Sequence, residues 1–259
     1  MGLPDLAGAV PDPIISVEGL SKAFTGTQAL DRVSFKVPRG AFFGCFGPNG
    51  AGKSTLLRIL TGQLEPTAGG AKVLGYAPGT DTVPLKRNVG IVPESESPPS
   101  FLTGLEYLEF VCRLRGLSDS AARIRKWLEY FDMADKQDTL CKDMSKGTRQ
   151  KIMLASAFIH RPPLLFLDEP FINLDPIYQR RVRDFLVDYV KSGGSIFMCS
   201  HILEVADKVC TDALIMDRGE VLAQGPIASF RTNGHDLADT FLDIIETRGA
   251  QRRAKPATS

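Results

Sequence analysis

The stretch Ala41-Phe42-Phe43-Gly44-Cys45-Phe46-Gly47-Pro48-Asn49-Gly50-Ala51-Gly52-Lys53-Ser54-Thr55 decides the fold. Its first six residues are an apolar run that reads as a strand, the next eight fit GxxxxGK[ST], and Lys53–Thr61 reads as a helix. Strand, glycine-rich turn and helix in that order make a phosphate cradle. Glycines let the loop wrap closely enough for several backbone N–H groups to converge, and the helix start adds positive partial charge. Gly47, Asn49, Gly50 and Gly52 then form the loop, Lys53 reaches the β- and γ-phosphates, the Ser54 hydroxyl is a Mg²⁺ ligand, and Thr55 continues the helix start. A partial glycine motif often does no more than join a strand to a helix, but the placement of Lys53-Ser54 behind an apolar strand argues for the cradle.

Outward from this unit, strands are expected at Ile14–Val17, Val33–Val37, Ala71–Leu74, Val89–Val92, Leu164–Leu167, Ser195–Cys199, Ala213–Met216 and Val221–Ala223. Strands alternating with helices predict an α/β core with a mostly parallel sheet. From about Thr103 to His160 apolar residues recur at helical spacing, which reads as a helical insertion. The expected division is a tail over residues 1–13, a core of 14–93 and 163–231 with a helical subdomain over about 94–162, and a C-terminal helix with a polar tail over 232–259. Within the last span, residues 249–259 read as tail.

Composition bounds the class. At 259 residues, with 43% hydrophobic and 24% charged side chains, the chain is of ordinary globular type. A formal charge of +1 provides no field toward nucleic acid, and no nucleic-acid partner is expected. The five cysteines are widely spaced, without metal-ligand pattern, and read as reduced buried thiols. No run of 18 apolar residues or basic-then-apolar start is present, so neither a membrane span nor a secretion signal is expected.

Leu164-Leu165-Phe166-Leu167-Asp168-Glu169 is an apolar run closed by two carboxylates, the pattern of a buried parallel strand that opens into a crevice. Two acids after a strand are commonly a loop start or a helix cap. Behind a phosphate cradle they take other roles: Asp168 in the Mg²⁺ shell, and Glu169 as the group that orients or deprotonates the attacking water.

Met144-Ser145-Lys146-Gly147-Thr148-Arg149-Gln150 is similar to the signature usually read LSGGQ, and it stands shortly before the acidic strand. Over about residues 14–231 the chain resembles the ATP-binding subunit of an ABC transporter, of the ABC-2 and Ecs-like exporter kind. Ser145 is placed to cap a helix running to about Ile159, turning its hydroxyl, the Gly147 amide and the helix dipole toward an anion.

The resemblance implies further positions. Phe24 stands where an aromatic ring stacks on adenine, Asn173-Leu174-Asp175 where a loop reaches a partner subunit, and His201 where a histidine senses the γ-phosphate. It implies ATP and Mg²⁺ as ligands, ATP hydrolysis at a head-to-tail dimer with a second such subunit, and a separate transmembrane permease. The place of action is then cytoplasmic, peripheral at the inner face of the membrane. Docking on the permease falls to the segment from Glu94 to Leu108, with Phe101, Leu102, Leu105, Tyr107 and Leu108; a local core is the alternative there.

Departures accompany the resemblance. Glu94 replaces a glutamine that contacts Mg²⁺, keeping an oxygen ligand but losing the amide donor. Lys146 and Thr148 replace the usual glycine and glutamine of the signature. A regulatory or soluble ABC ATPase not coupled to transport is the second reading.

Overall fold

The computed structural model describes residues 11–94, 98–231 and 237–254, without the side chains of 204–206 and 249–254. The tail residues 1–10 and 255–259 lie outside the described residues.

Two sheets form. β1 (Ile15–Phe24), β2 (Thr27–Val37) and β4 (Ala68–Val73) make an antiparallel sheet in the order β2-β1-β4. The second sheet has the order β5-β6-β7-β3-β8-β9, from β3 (Phe42–Phe46), β5 (Val89–Val92), β6 (Leu164–Asp168), β7 (Ser195–Ser200), β8 (Asp212–Asp217) and β9 (Glu220–Pro226). All its pairings are parallel except β8 with β9. The expected α/β class with an antiparallel N-terminal portion is therefore the observed one.

Side chains alternate across the larger sheet and build two cores. Phe43, Cys45, Phe166, Phe197 and Cys199 face the antiparallel sheet and α1 (Lys53–Leu60). There Phe35, Phe43 and Phe197 stack with centroids 5.8–5.9 Å apart. Phe42, Phe46, Leu165, Leu167, Ile196 and Met198 face the helices of the other layer. Those helices are α3 (Gly104–Leu114), α4 (Ser120–Tyr130), α5 (Lys146–Phe158) and α6 (Pro176–Lys191). The expected insertion is helical, and its apolar residues share one continuous cluster with the sheet.

The remaining helices are α2 (Thr82–Asn88), α7 (Leu203–Val209), α8 (Ile227–Phe230) and α9 (Leu237–Ala254). α9 carries helix through residues 249–254, where the sequence reads as tail. β1 and β2 also run well beyond the stretches expected from alternation. Register shifts between Val17 and Leu20 and between Leu20 and Lys22 break the period of two, so the pattern fades while the pairing continues. All five cysteines are free and buried. Among the described residues no helix is long and apolar enough to cross a membrane.

Helix ends follow local chemistry. Thr103 opens α3 in a capping box, its hydroxyl accepting from the Glu106 amide and the Glu106 carboxylate accepting from the Thr103 amide. Asp175 caps α6 by accepting from the amides of Ile177 and Tyr178, with Pro176 in the first turn.

Where the helices meet β5, Arg115 donates to the carbonyls of Lys86, Arg87 and Val89. His160 lies beside it, with Nε2 3.2 Å from the Val89 carbonyl and a buried Nδ1 that has no partner among the described residues. Burial, reinforced by the Arg115 charge, holds the imidazole down to about pKa 3 from an ordinary 6.5. Between those values the unfolded chain binds a proton that the folded chain refuses, so this site loses stability as pH falls through that window. At about 1.4 kcal/mol per unit, roughly 2–3 kcal/mol is at stake by about pH 4.5. His160→Gln keeps a donor for Val89 and removes the titration. Unfolding free energies from urea titrations at neutral pH and at about pH 4.5 should therefore differ less in the variant by that amount.

Candidate nucleotide site and its geometry

β3, β6 and β7 are parallel neighbours, with Phe46 opposite Ser200 and Asp168 opposite Cys199. Their C-terminal ends meet at one edge, the place where open α/β sheets bind ligands. The loop after β3, the acids ending β6 and the histidine after β7 come together there by topology alone. A cleft of about 540 Å³ results, lined by Asn49, Gly50, Gly52, Lys53, Ser54 and Thr55 on one side and by Glu94, Asp168, Glu169 and His201 on the other.

The loop has the shape that the motif requires. Gly52, before α1, sits at φ +100°, and a β-carbon on it would stand 2.6 Å from the Ala29 carbonyl oxygen. Backbone conformation and close approach thus both demand glycine. Lys53 is buried, and its ammonium donates to the carbonyls of Gly47 at 2.7 Å and Pro48 at 3.1 Å. A phosphate entering the loop would offer it a stronger, charged acceptor.

Asp168 is buried. Burial pushes its carboxyl up to about pKa 6; the charges of Glu94 and Glu169 add to the rise, and Ser54 and Lys53 oppose it. A carboxylate held against its preference in this way is primed for a cation. Ser54, Asp168 and Glu94 supply only oxygens, which suits Mg²⁺. Among the described residues no group of three or more His, Cys, Asp or Glu side chains forms a metal cluster. The donor set fits an ion that takes most of its ligands from phosphate and water.

Glu169 is held from several sides. Its backbone is at φ +49°, uncommon for a residue with a side chain, and the Cys199 carbonyl holds its amide at 3.0 Å. One carboxylate oxygen accepts from the His201 amide at 2.9 Å and lies 2.6 Å from His201 Nδ1; the other accepts from the Ser200 hydroxyl at 2.9 Å. The carboxylate is thereby aimed and leaves Nε2 of His201 as the ring's other polar atom. No sequence signal singled out Ser200, which also receives the Ile202 amide.

Other expected positions lie outside the cleft lining. Phe24, at the end of β1, is 48% exposed, with the Lys22 ammonium 5.2 Å from its ring centre. It pairs with Thr27, and Thr27, Gln28 and Ala29 do line the cleft. Ser145 caps α5 as expected, but its hydroxyl is engaged by the Thr148 amide at 3.1 Å and lies 2.9 Å from the Thr148 hydroxyl. The departure Thr148 is thus part of the cap. Gly147 packs on the loop that leads from Glu169 to Asp175: a β-carbon on it would stand 2.7 Å from the Asn173 carbonyl oxygen. Gln150 adds a second tie, donating to the Pro170 carbonyl at 3.3 Å. Both contacts couple the start of α5 to the loop that follows β6 in the same chain, a reason for Gly147 that its place in the signature does not supply.

Among the apolar residues of the expected docking segment, Phe101 is 75% exposed, whereas Leu108 is fully buried in the core. Leu102, Leu105 and Tyr107 lie between these limits.

Two outcomes follow from this geometry. Glu94→Gln removes a negative charge facing Asp168, so the Asp168 carboxyl should titrate at lower pH, and the acid limb of Mg²⁺-dependent ATP hydrolysis should move the same way; pH–rate profiles of the two proteins check it. Gly147→Ala forces the Asn173 loop to move, at a cost of about 1–3 kcal/mol. Turnover should fall while the separate chain still binds ATP, as calorimetry and phosphate release would show.

The sequence pattern of the ABC transporter family matches residues 30–172, more than half of the chain. The chain is 34% identical over 246 residues to the daunorubicin/doxorubicin resistance ATP-binding protein DrrA of Streptomyces peucetius, covering 94% of this chain and 74% of that one. It is 34% identical over 255 residues to the Nod factor export ATP-binding protein I of Ralstonia nicotianae, covering 95% and 76%. Among solved structures, the ATP-binding subunit of an ABC transporter superposes with a TM-score of 0.85 at 29% identity, over 90% of this chain and 99% of that one. A dimeric ATP-binding cassette bound to ADP and Pi shares the fold, with a TM-score of 0.76 at 21% identity over 82% and 98%. The cradle, the acidic strand end and the signature helix thus stand in a chain that belongs to the ABC transporter family, as its ATP-hydrolysing domain.

Proposed function

We propose that this protein is the ATP-binding subunit of an exporter, in which two such domains meet head to tail and drive a separate membrane permease. The observation that carries the reading is the division of the site within one chain. The cradle, Glu94, Asp168, Glu169 and His201 share a cleft, while Ser145, Gly147 and Asp175 lie outside its lining. A half-site with a displaced signature helix is what a second copy completes. The relatives named for drug resistance and for Nod factor export support the exporter assignment, and the dimeric cassette bound to ADP and Pi supports the pairing.

In this reading Lys53 exchanges the carbonyls of Gly47 and Pro48 for the β- and γ-phosphates. Ser54, Asp168 and Glu94 hold Mg²⁺, which when bound neutralises charge developing on the phosphoryl oxygens. Glu169, aimed by Ser200 and His201, orients the attacking water and takes up its proton. His201 presents Nε2 to the γ-phosphate, and Phe24 stacks on the base, a contact of about 1–3 kcal/mol that requires no particular base. Ser145 and Gly147 of the opposing chain clasp the far end of the triphosphate, with Asp175 in the loop between the chains. Loss of the γ-phosphate then releases the pair, a population shift passed to the permease through the helical layer. Phe101, Leu102, Leu105 and Tyr107 provide the docking surface, and Leu108 supports it from the core. The protein would then work at the cytoplasmic face of the membrane.

Glu169→Gln keeps the shape of the site and removes the base. ATP binding should persist, turnover should drop by about 10²–10⁴-fold, and a nucleotide-bound dimer should accumulate. Single-turnover phosphate release and light scattering read these together. Wild-type turnover would remove Glu169 from the role, and a monomer with bound ATP in this variant would remove the head-to-tail site. Isolation of the native complex from its membrane, with identification of the accompanying polytopic protein, tests the permease; its absence would favour the uncoupled ATPase.

A further inference from the structure

A cleft of about 390 Å³ opens between α4, the end of α5 and α6, and none of its lining residues borders the nucleotide cleft. Its volume falls in the range of small-molecule sites. Aromatic side chains form its floor. Trp127 of α4 lies 5.3 Å from Phe158 and 5.1 Å from Phe185, and Phe158 and Phe185 are 4.7 Å apart between ring centres. The walls are held in place: the Tyr189 hydroxyl donates to the Pro162 carbonyl, and the Tyr130 hydroxyl donates to the Arg181 carbonyl at 2.9 Å. A floor fixed in this way loses little freedom when a flat molecule settles on it.

Charge at the rim narrows the ligand class. The two acids there are matched by cations of their own helix, Asp184 by Arg183 at 2.9 Å and Asp188 by Lys191 at 3.9 Å. Lys126 and Arg161 also line the cleft, and among the described residues neither forms an ion pair. They oppose one another: burial lowers the Lys126 pKa first, and the charges of Arg161 and Arg123 lower it further. Arg161 also occupies a backbone position at φ +52°, where glycine would be easier. Two cations thus stand at the rim of the cleft, and the Lys126 ammonium lies 5.5 Å from the Trp127 ring centre.

We propose that this cleft is a second ligand site, which takes a planar aromatic molecule bearing an acidic group. The ring lies against the half-buried Tyr130 and Phe185, above the buried Trp127 and Phe158, and the anion is met by Lys126 and Arg161. The occupant touches the helix that begins at the Ser145 cap and the helix that begins at the Asp175 cap, so it braces the two elements that carry the proposed inter-subunit contacts. The site itself does not depend on the transporter reading.

Trp127 is the single tryptophan of the chain and serves as the reporter. The full-length protein, saturated with ADP, is titrated with 8-anilinonaphthalene-1-sulfonate while energy transfer from Trp127 is followed. We expect saturation at one probe per chain, unaffected by ADP, and binding about tenfold weaker in Lys126→Glu and in Arg161→Gly. The glycine variant fits the backbone at that position, so its fold is retained and weaker binding there reports the lost cation. 9-Aminoacridine, cationic and flat, should bind at least about tenfold more weakly than the sulfonate. Unchanged affinity in both variants, preference for the acridine, or displacement of the sulfonate by ADP would each overturn the proposal.

Discussion

Parallel pairing of β6 and β3 with β7 between them is the constraint on which the site depends. Neighbouring parallel strands end on the same edge, so three segments far apart in sequence, beginning at Gly47, Asp168 and His201, must share one crevice. Buried on both faces, these strands need apolar side chains, which Phe42–Phe46, Leu164–Leu167 and Ile196–Cys199 provide at every position except Gly44. The rigidity of that packing is what allows carboxylates and an ammonium to be held at fixed separations.

Charges in the cleft are satisfied internally, and each at some cost. Lys53 leans on its own loop, Asp168 is held above its usual pKa, and Glu169 adopts an uncommon backbone conformation to reach Ser200 and His201. A triphosphate with its cation would answer these mismatches together: an anion for the lysine, a cation for the aspartate. Preorganisation of this kind is the usual form of catalytic support in phosphoryl transfer, where positioning and charge matter more than covalent chemistry.

Mechanical continuity between the helical layer and the crevice rests on few contacts. Arg115 binds the carbonyls just before and within β5, the strand that leads to Glu94. On the other side, Gly147 and Gln150 touch the loop that runs from Glu169 to Asp175. Tyr178 and Arg181 of α6 both bond to Asp132 after α4, at 2.9 and 2.7 Å. These contacts join a hydrophobic cluster that the helices share with the sheet, so the helical layer touches both sides of the candidate site.

The cradle, the acidic strand end and the cap at Ser145 were legible in the sequence because each depends on residues adjacent in the chain. A loop needs its glycines, a buried strand its apolar run, and a helix its capping hydroxyl, whatever surrounds them. The lengths of β1 and β2 were not legible, since register shifts erase the alternation that marks a strand, and the helical end of the chain through Ala254 carried too polar a pattern to be separated from a tail. Only the tertiary structure decided that Leu108 is core, that Ser200 aims Glu169, that Thr148 shares the cap hydroxyl and that Gly147 is pressed on Asn173. These are contacts between segments brought together by strand order and helix packing, and distance along the chain carries no local signal of them.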